Sequence, residues 1–390
     1  MIEGLNLVSV AMAVGIILPL LVFTAEVYLG FWPSRRLDLV SAAPSTCILI
    51  PAHNEAATIG LTLQRLKPCV WEDSLVLVVA DNCTDETARI AAAAGAEVLE
   101  RVEPAHRGKD YALAFGRDHL RNAPPECVIV FDADCRAGDK ALREIATCAI
   151  ERSAAVQALN TFEADRSASP MVQISSFAMW IKNVVRQRGA QRAGAGAVLT
   201  GTGMAFPWQM FDRLPLATGS IVEDLAIGAN LTRAGAAPLF LEQASISSAA
   251  ARQNATLEQR ARWEHGFLST AQSQGLPSVW TGLRTGNWKA IWLGLHLMVP
   301  PFALLISLAL LILLFLGVSA PATANVWPFV CVSAVLSFAL VGLLGHWALE
   351  GHKWLHPRVL LLLPFYVLWK IPVYARYLLG RRSGWVRTER

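Results

Sequence analysis

The chain has 390 residues, of which 54% are hydrophobic and only 16% charged, and its mean hydropathy is +0.41. That is more apolar than a soluble enzyme and long enough for one large catalytic domain plus membrane helices. The formal net charge of +4 is mild and the basic residues gather beside apolar segments, which favours membrane lipids as partners and excludes a nucleic-acid binder. Seven cysteines without a C-x-x-C pair or a histidine at zinc spacing read as reduced thilols facing a reducing compartment, which excludes a disulfide scaffold and a structural zinc site.

In chain order, residues 5–32 form an apolar stretch long enough to cross a bilayer core of roughly 30 Å. The basic pair Arg35 and Arg36 follows it instead of preceding it, so it reads as an anchor with its C-terminal end inside, not as a cleaved signal. Glu26 falls beside Tyr28 and Trp32, where an interfacial position is cheap, and that reading is preferred over a functional intramembrane carboxylate.

Residues 43–274 alternate short apolar runs with helical periodicity, which predicts an α/β domain with a mainly parallel sheet and helices on both faces. Three strands are predicted, at 46–50, 75–80 and 127–131, and each ends in polar residues. Open α/β sheets bind ligands at the carboxyl ends of their strands, so these polar tips are expected to share one crevice. Thr58 is expected to cap a helix over 59–66, and a second helix is expected to end at Gly95.

The first strand leads into Pro51, Ala52, His53, Asn54 and Glu55, and the second into Asp81, with Thr84 and Asp85 as helix-capping residues. Asp81 reads either as a turn residue or as a hydrogen-bonding partner for a base or ribose, and Glu55 has the same double reading. Arg107 and Lys109 offer cations for a phosphate. After the third strand come Asp132 and Asp134, two carboxylates at i and i+2 of extended chain that point the same way and suit Mg2+ or Mn2+. Glu223 and Asp224 open a predicted helix, where acids are common caps, yet an adjacent pair also lets one carboxylate orient an acceptor while the other takes its proton. Gln259, Arg262 and Trp263 share one side of a further helix.

Beyond the domain, residues 275–294 alternate Trp280, Leu283, Trp288, Ile291 and Trp292 with Arg284 and Lys289, as an interfacial amphipathic helix would. Residues 295–349 are expected to form a transmembrane hairpin of two spans, 295–317 and 326–349, joined by an uncharged turn. Lys353 and Arg358 place the chain after it in the cytoplasm, together with the catalytic domain. Residues 350–390 carry an apolar stretch at 359–379 followed by Arg381, Arg382, Arg387 and Arg390. A full span would put that basic tail outside, so a re-entrant or interfacial segment is expected. Residues 1–42 complete the division as the first helix and its linker.

Taken in order, Pro51 to Glu55 (as P-x-x-N-E), Asp81, the D-x-D of Asp132 and Asp134, the E-D of Glu223 and Asp224, and the Q-x-x-R-W of Gln259, Arg262 and Trp263 resemble the inverting family-two glycosyltransferases of the GT-A fold. The last element is usual in processive synthases and ceramide glucosyltransferases, although those synthases carry more spans than the three placed here. The resemblance implies a nucleotide-sugar donor, UDP-linked, held by Pro51, His53, Glu55, Asp81, Lys109 and Asp132, with a divalent metal on Asp132 and Asp134. It implies Asp224 as base beside Glu223, and Gln259, Arg262, Trp263, Thr202 and Gly203 at the diphosphate and acceptor. The expected protein is an integral enzyme of a bacterial inner membrane that glycosylates a lipid-linked or glycan acceptor. A processive polysaccharide synthase is the alternative, and a non-catalytic nucleotide-binding transporter or scaffold a distant one. Oligomeric state carries no sequence signal.

Overall fold

The computed structural model describes residues 2–219, 222–250 and 253–379. The arginines expected in the basic tail, and Ser220 and Ile221 before the E-D pair, lie outside the described residues.

Eight strands form one mixed sheet: β1 Thr46–Ala52, β2 Ser74–Asp81, β3 Glu97–Arg101, β4 Cys127–Val130, β5 Cys135–Ala137, β6 Val156–Phe162, β7 Met204–Pro207 and β8 Leu239–Ser248. Their order is β3-β2-β1-β4-β7-β6-β8-β5. The β3-β2-β1-β4 half is parallel, whereas β7 runs antiparallel between β4 and β6, so the sheet is mixed where the sequence suggested mainly parallel. The three predicted strands are β1, β2 and β4. Alternation along them divides the core: Ile48 and Ile50 pack on one face with Val78 and Ile129, Cys47 and Leu49 on the other with Leu77 and Val79. Each fully buried aliphatic side chain of this kind contributes about 1.5–3 kcal/mol.

Helix α1 Ile2–Leu29 precedes this domain, whose helices begin with α2 Ile59–Leu66, α3 Thr87–Ala93, α4 Lys109–Leu120 and α5 Ala141–Arg152. There follow α6 Pro170–Trp180, a π-helical turn Ile181–Val185, α7 Arg186–Arg192, the short α8 Trp208–Asp212, and α9 Glu223–Arg233. α3 gives way to Gly95 at φ +92, as expected of a helix stop. Thr58 does not cap α2; its hydroxyl donates to the Glu55 carboxylate at 2.7 Å instead.

Helices α10 Gln253–Thr285 and α11 Trp288–Leu297 then pack against each other as a hairpin that turns at Gly286. The single helix expected at 275–294 is therefore two helices, because Gly282 and Gly294 let the two backbones come close. Trp280 and Leu283 remain exposed, with the Arg284 guanidinium over the Trp280 ring. Pro300 and Pro301 end α11 and delay the next helix, α12, to Phe302–Thr323, so it starts later than the expected 295 and runs into the expected turn. α13 is Trp327–Leu349, and α14 is Leu363–Leu378, preceded by a 3-10 stretch Pro357–Leu362.

Among the described residues, four segments are long and apolar enough to cross a membrane: Ile2–Leu29, Phe302–Thr323, Trp327–Leu349 and Pro357–Leu378. The last of these, expected from its basic tail to be re-entrant or interfacial, carries Lys370, which is fully buried and paired with Glu264 of α10 at 2.8 Å. α1 packs on α12 and α13, where Tyr28 stacks on Phe338 and donates to its carbonyl at 3.0 Å. The continuous run from α6 to α7 docks the sheet domain on α1. Its Gly189 lies so close to the Glu26 carbonyl that a Cβ there would sit 2.0 Å from the oxygen. Glu26, expected at the bilayer interface, is enclosed by protein. It is fully buried, accepts from Arg186 Nε at 2.6 Å and from Trp292 Nε1 at 3.2 Å, and meets His296 Nδ1 at 2.7 Å.

Candidate active site

The carboxyl ends of β1, β2 and β4 meet the start of α9 and the middle of α10 around a cleft of about 350 Å3. Its wall includes Pro51, His53, Glu55, Asp81, Lys109, Asp132, Asp134, Thr202, Glu223, Asp224, Gln259, Arg262 and Trp263, residues far apart in the chain. Of the residues singled out from sequence, Gly203 is the one that does not face it. At φ +65 it packs against Ile246 and Ala158, and Gly201 lines the cleft in its place. Arg107 lines the rim.

The tips of β1 and β2 are tied together. Asn54 and Asn82 adopt left-handed backbone, which asparagine tolerates, and each side-chain Oδ1 accepts a backbone N–H from another loop: Thr84 to Asn54 at 2.7 Å, Glu103 to Asn82 at 2.8 Å. The His53 Nδ1–H donates to the Asp81 carbonyl at 2.6 Å. Asp81 is buried and ion-paired with Arg101 at 2.5 Å, and Arg101 also donates to the His106 carbonyl. Arg101 escaped the sequence reading because the short strand that carries it, β3, was not predicted. Its one signal was a basic residue at a strand end.

Lys109, first residue of α4, donates to the Asp132 carboxylate and, at 2.5 Å, to the Gly201 carbonyl. Burial would lower its pKa, but Asp132, Glu223 and Asp224 together hold the ammonium above its ordinary value. Gly201 passes beside Asp224, and its φ of +88 is what favours glycine in this loop. The Asp132 N–H donates to the Thr202 hydroxyl at 3.1 Å.

Asp132, Asp134 and Cys135 bring their ligand atoms within 4.8 Å of one another. Two hard carboxylate oxygens fit Mg2+ or Mn2+. Burial and Asp132 push the Cys135 thiol up to about 12, and thiolate is a soft ligand whereas Mg2+ and Mn2+ favour oxygen, so the aspartates are the fitting ligands.

Glu223 and Asp224 form the first turn of α9. Burial, reinforced by the charge of Asp224, raises Glu223 to about 8, and burial also raises Asp224, against the Leu225 N–H, Lys109 and Lys182. The buried Asp110 carboxylate accepts the Gly219 N–H at 2.6 Å and so fixes the approach to this turn.

On α10, Gln259 is buried, Trp263 stacks beside Phe162 with centroids 6.3 Å apart, and burial lowers the pKa of Arg262. Arg260, passed over in the sequence, is buried between the Phe162 and Trp263 rings and donates to Ser175 Oγ at 2.6 Å. Lys182 was also missed. It stands in the π-helical turn among Trp180, Ile181, Val184 and Val185, and a lone lysine in so apolar a run was the available signal.

A mixed sheet whose strand tips carry a D-x-D pair and face an E-D helix start, next to membrane helices, is the architecture of a GT-A glycosyltransferase. Residues 43–266 match the family described as Glycosyltransferase like family 2, and the chain belongs to that family. Over 95 residues it is 33% identical to the low-salt glycan biosynthesis hexosyltransferase Agl6 of Haloferax volcanii, a match that covers 24% of this chain and only 22% of that relative's length. The structure resembles the mannosyltransferase PcManGT from Pyrobaculum calidifontis, solved in complex with GDP-Man and Mn2+. The superposition covers 98% of this chain and 100% of that one, with a TM-score of 0.58, and at 16% identity the likeness is one of fold.

Proposed function

We propose that the chain transfers a sugar, with inversion, from a nucleotide-sugar to a membrane-associated lipid or glycan acceptor on the cytoplasmic face. The observation that carries this is the gathering of Asp81, Asp132, Asp134, Glu223, Asp224, Gln259, Arg262 and Trp263 around one cleft. Asp81, with His53 and Glu55, binds the nucleoside. Asp224 removes the proton from the acceptor hydroxyl as its oxygen attacks the anomeric carbon, and Glu223 orients that hydroxyl. The C–O bond to the diphosphate breaks in the same step. Arg262 and Lys109 are the cations at hand for the departing charge, and Trp263 offers a face on which the acceptor ring stacks. A bound Mg2+ or Mn2+ on Asp132 and Asp134 supplies Lewis-acid neutralisation of the diphosphate.

Arg35 and Arg36 after α1, and Lys353 and Arg358 after α13, support a cytoplasmic cleft at a bacterial inner membrane. The space that adjoins the cleft between the spans is about 90 Å3, which favours a single transfer over threading a polymer. The test is a panel of nucleotide-sugars with manganese, read first as thermal stabilisation and then as radiolabel extracted with lipid. One donor is expected to stabilise and to label, and Asp134→Ala is expected to weaken manganese-dependent donor binding by roughly 10–100-fold. Label that never enters lipid or glycan, or donor affinity indifferent to Asp134→Ala, defeats the reading.

A further inference from the structure

Behind the cleft, on the side of the spans, lies a second chamber of about 90 Å3. Met179, Lys182, Trp263 and Phe267 belong to the walls of both, so the two spaces share a partition made of one cation, one indole and two apolar side chains. The rest of the chamber is apolar and comes from three candidate spans: Phe23 of α1, Phe302 of α12 and Tyr366 from α14, with Pro300 and Pro301 between. Into this apolar space reach Lys182, Arg186, Arg260 and Glu264.

The charges there do not cancel. Arg186 is neutralised by Glu26 at 2.6 Å, and Glu264 by Lys370 at 2.8 Å. Arg260 is held by Ser175 and by two aromatic faces, and neither it nor Lys182 has a carboxylate in ion-pair contact among the described residues. Asp224, from the cleft, and Glu264 act on Lys182 without reaching it. Arg260 is buried and Lys182 stands exposed on the partition, so an anion entering the chamber meets two cations that no carboxylate already pairs.

We infer that the chamber receives the phosphate of an anionic acceptor lipid, one whose phosphate or diphosphate lies between its hydrocarbon tail and its terminal sugar. This deepens, and rests on, the glycosyltransfer reading above. The layout matches such a molecule from end to end: tail between α1, α12 and α14, phosphate at Lys182 and Arg260, sugar on Trp263, and its hydroxyl toward Asp224. A neutral glycolipid would leave both cations unpaired. The π-helical turn serves this arrangement, since an extra residue per turn directs Lys182 to the partition within a helix whose neighbours Ile181 and Val184 stay buried.

The test uses the full-length protein in nanodiscs and calorimetric titration with farnesyl phosphate, farnesol and inorganic phosphate, in EDTA so that Asp132 and Asp134 hold no cation. Farnesyl phosphate is expected to bind at least tenfold more tightly than farnesol, and inorganic phosphate not measurably. Lys182→Met is expected to erase most of that preference and Lys182→Arg to keep it. Because the Arg260 substitution risks the fold, Lys182 carries the argument. Equal affinity for farnesyl phosphate and farnesol overturns the proposal, as does a folded Lys182→Met protein with the preference intact; binding of inorganic phosphate as tight as farnesyl phosphate makes the site one for free phosphate and overturns the lipid. Donor binding with manganese, measured on the same preparation, separates the two readings: its absence alongside an intact preference refutes glycosyltransfer and leaves this site standing.

Discussion

Glu26 and the Glu223–Asp224 pair are both acids inside a protein of low charge content, and their surroundings differ in kind. Around Glu26 every charge is answered: Arg186 and His296 sit on its two oxygens, Trp292 adds an N–H, and the carboxylate is fully buried. Around Glu223 and Asp224 the acids outnumber the cations, with Asp132 and Asp134 nearby and Lys109 already bonded to Asp132. A closed account of charge marks a structural clasp, here one that fastens α1 to α7 and α11. A surplus of one sign marks a place that expects a ligand of the other.

The largest effect that sharpens this contrast belongs to the cleft. Asp224→Asn is expected to lower transfer by about 10^3-fold, within the range for losing a general base, while donor binding by thermal shift is preserved; transfer near the wild-type rate would remove Asp224 from the role. The clasp should respond in stability instead. Glu26→Ala leaves Arg186 buried beside no carboxylate and is expected to cost about 3 kcal/mol, read as a lower urea midpoint of the detergent-solubilised protein. An unchanged midpoint would mean that the clasp is decorative. The smallest effect is a displacement along the pH axis. Burial raises both acids of the pair and the charge of Asp224 raises Glu223 further, and the base works only when ionised, so transfer should climb with pH through the range in which they lose protons. Glu223→Gln deletes the acid that titrates higher and is expected to leave a single acid limb set by Asp224. A second ionisation persisting in that variant's pH profile would show that another group governs the limb.

Much of the cleft could be read in advance because it is built from strand tips. Asp81 and Asp132 each follow a run of aliphatic residues that must be a buried strand, and a polar residue at the end of such a strand has nowhere to point but the crevice. Glu223, Asp224, Gln259, Arg262 and Trp263 were legible as neighbours on helix turns, but only the ordered resemblance to family-two glycosyltransferases pointed to a site there. Gly203 was misplaced by two residues, since which glycine of a loop faces a cavity depends on what packs behind it, in this case Ile246 and Ala158.

What the sequence determined by itself was therefore the alternation of buried strands and helices, three of the four segments apolar enough to cross a membrane, and the chemical types that the strand tips present. The tertiary structure alone decided the partners: Arg101 for Asp81, Arg186 and His296 for Glu26, Lys370 for Glu264, and Lys182 and Arg260 at the rear chamber. The physical reason is range. Periodicity and capping are settled within a few residues, whereas the fate of a charge in an apolar setting depends on a counter-charge that, for Glu26, stands 160 residues away in the chain.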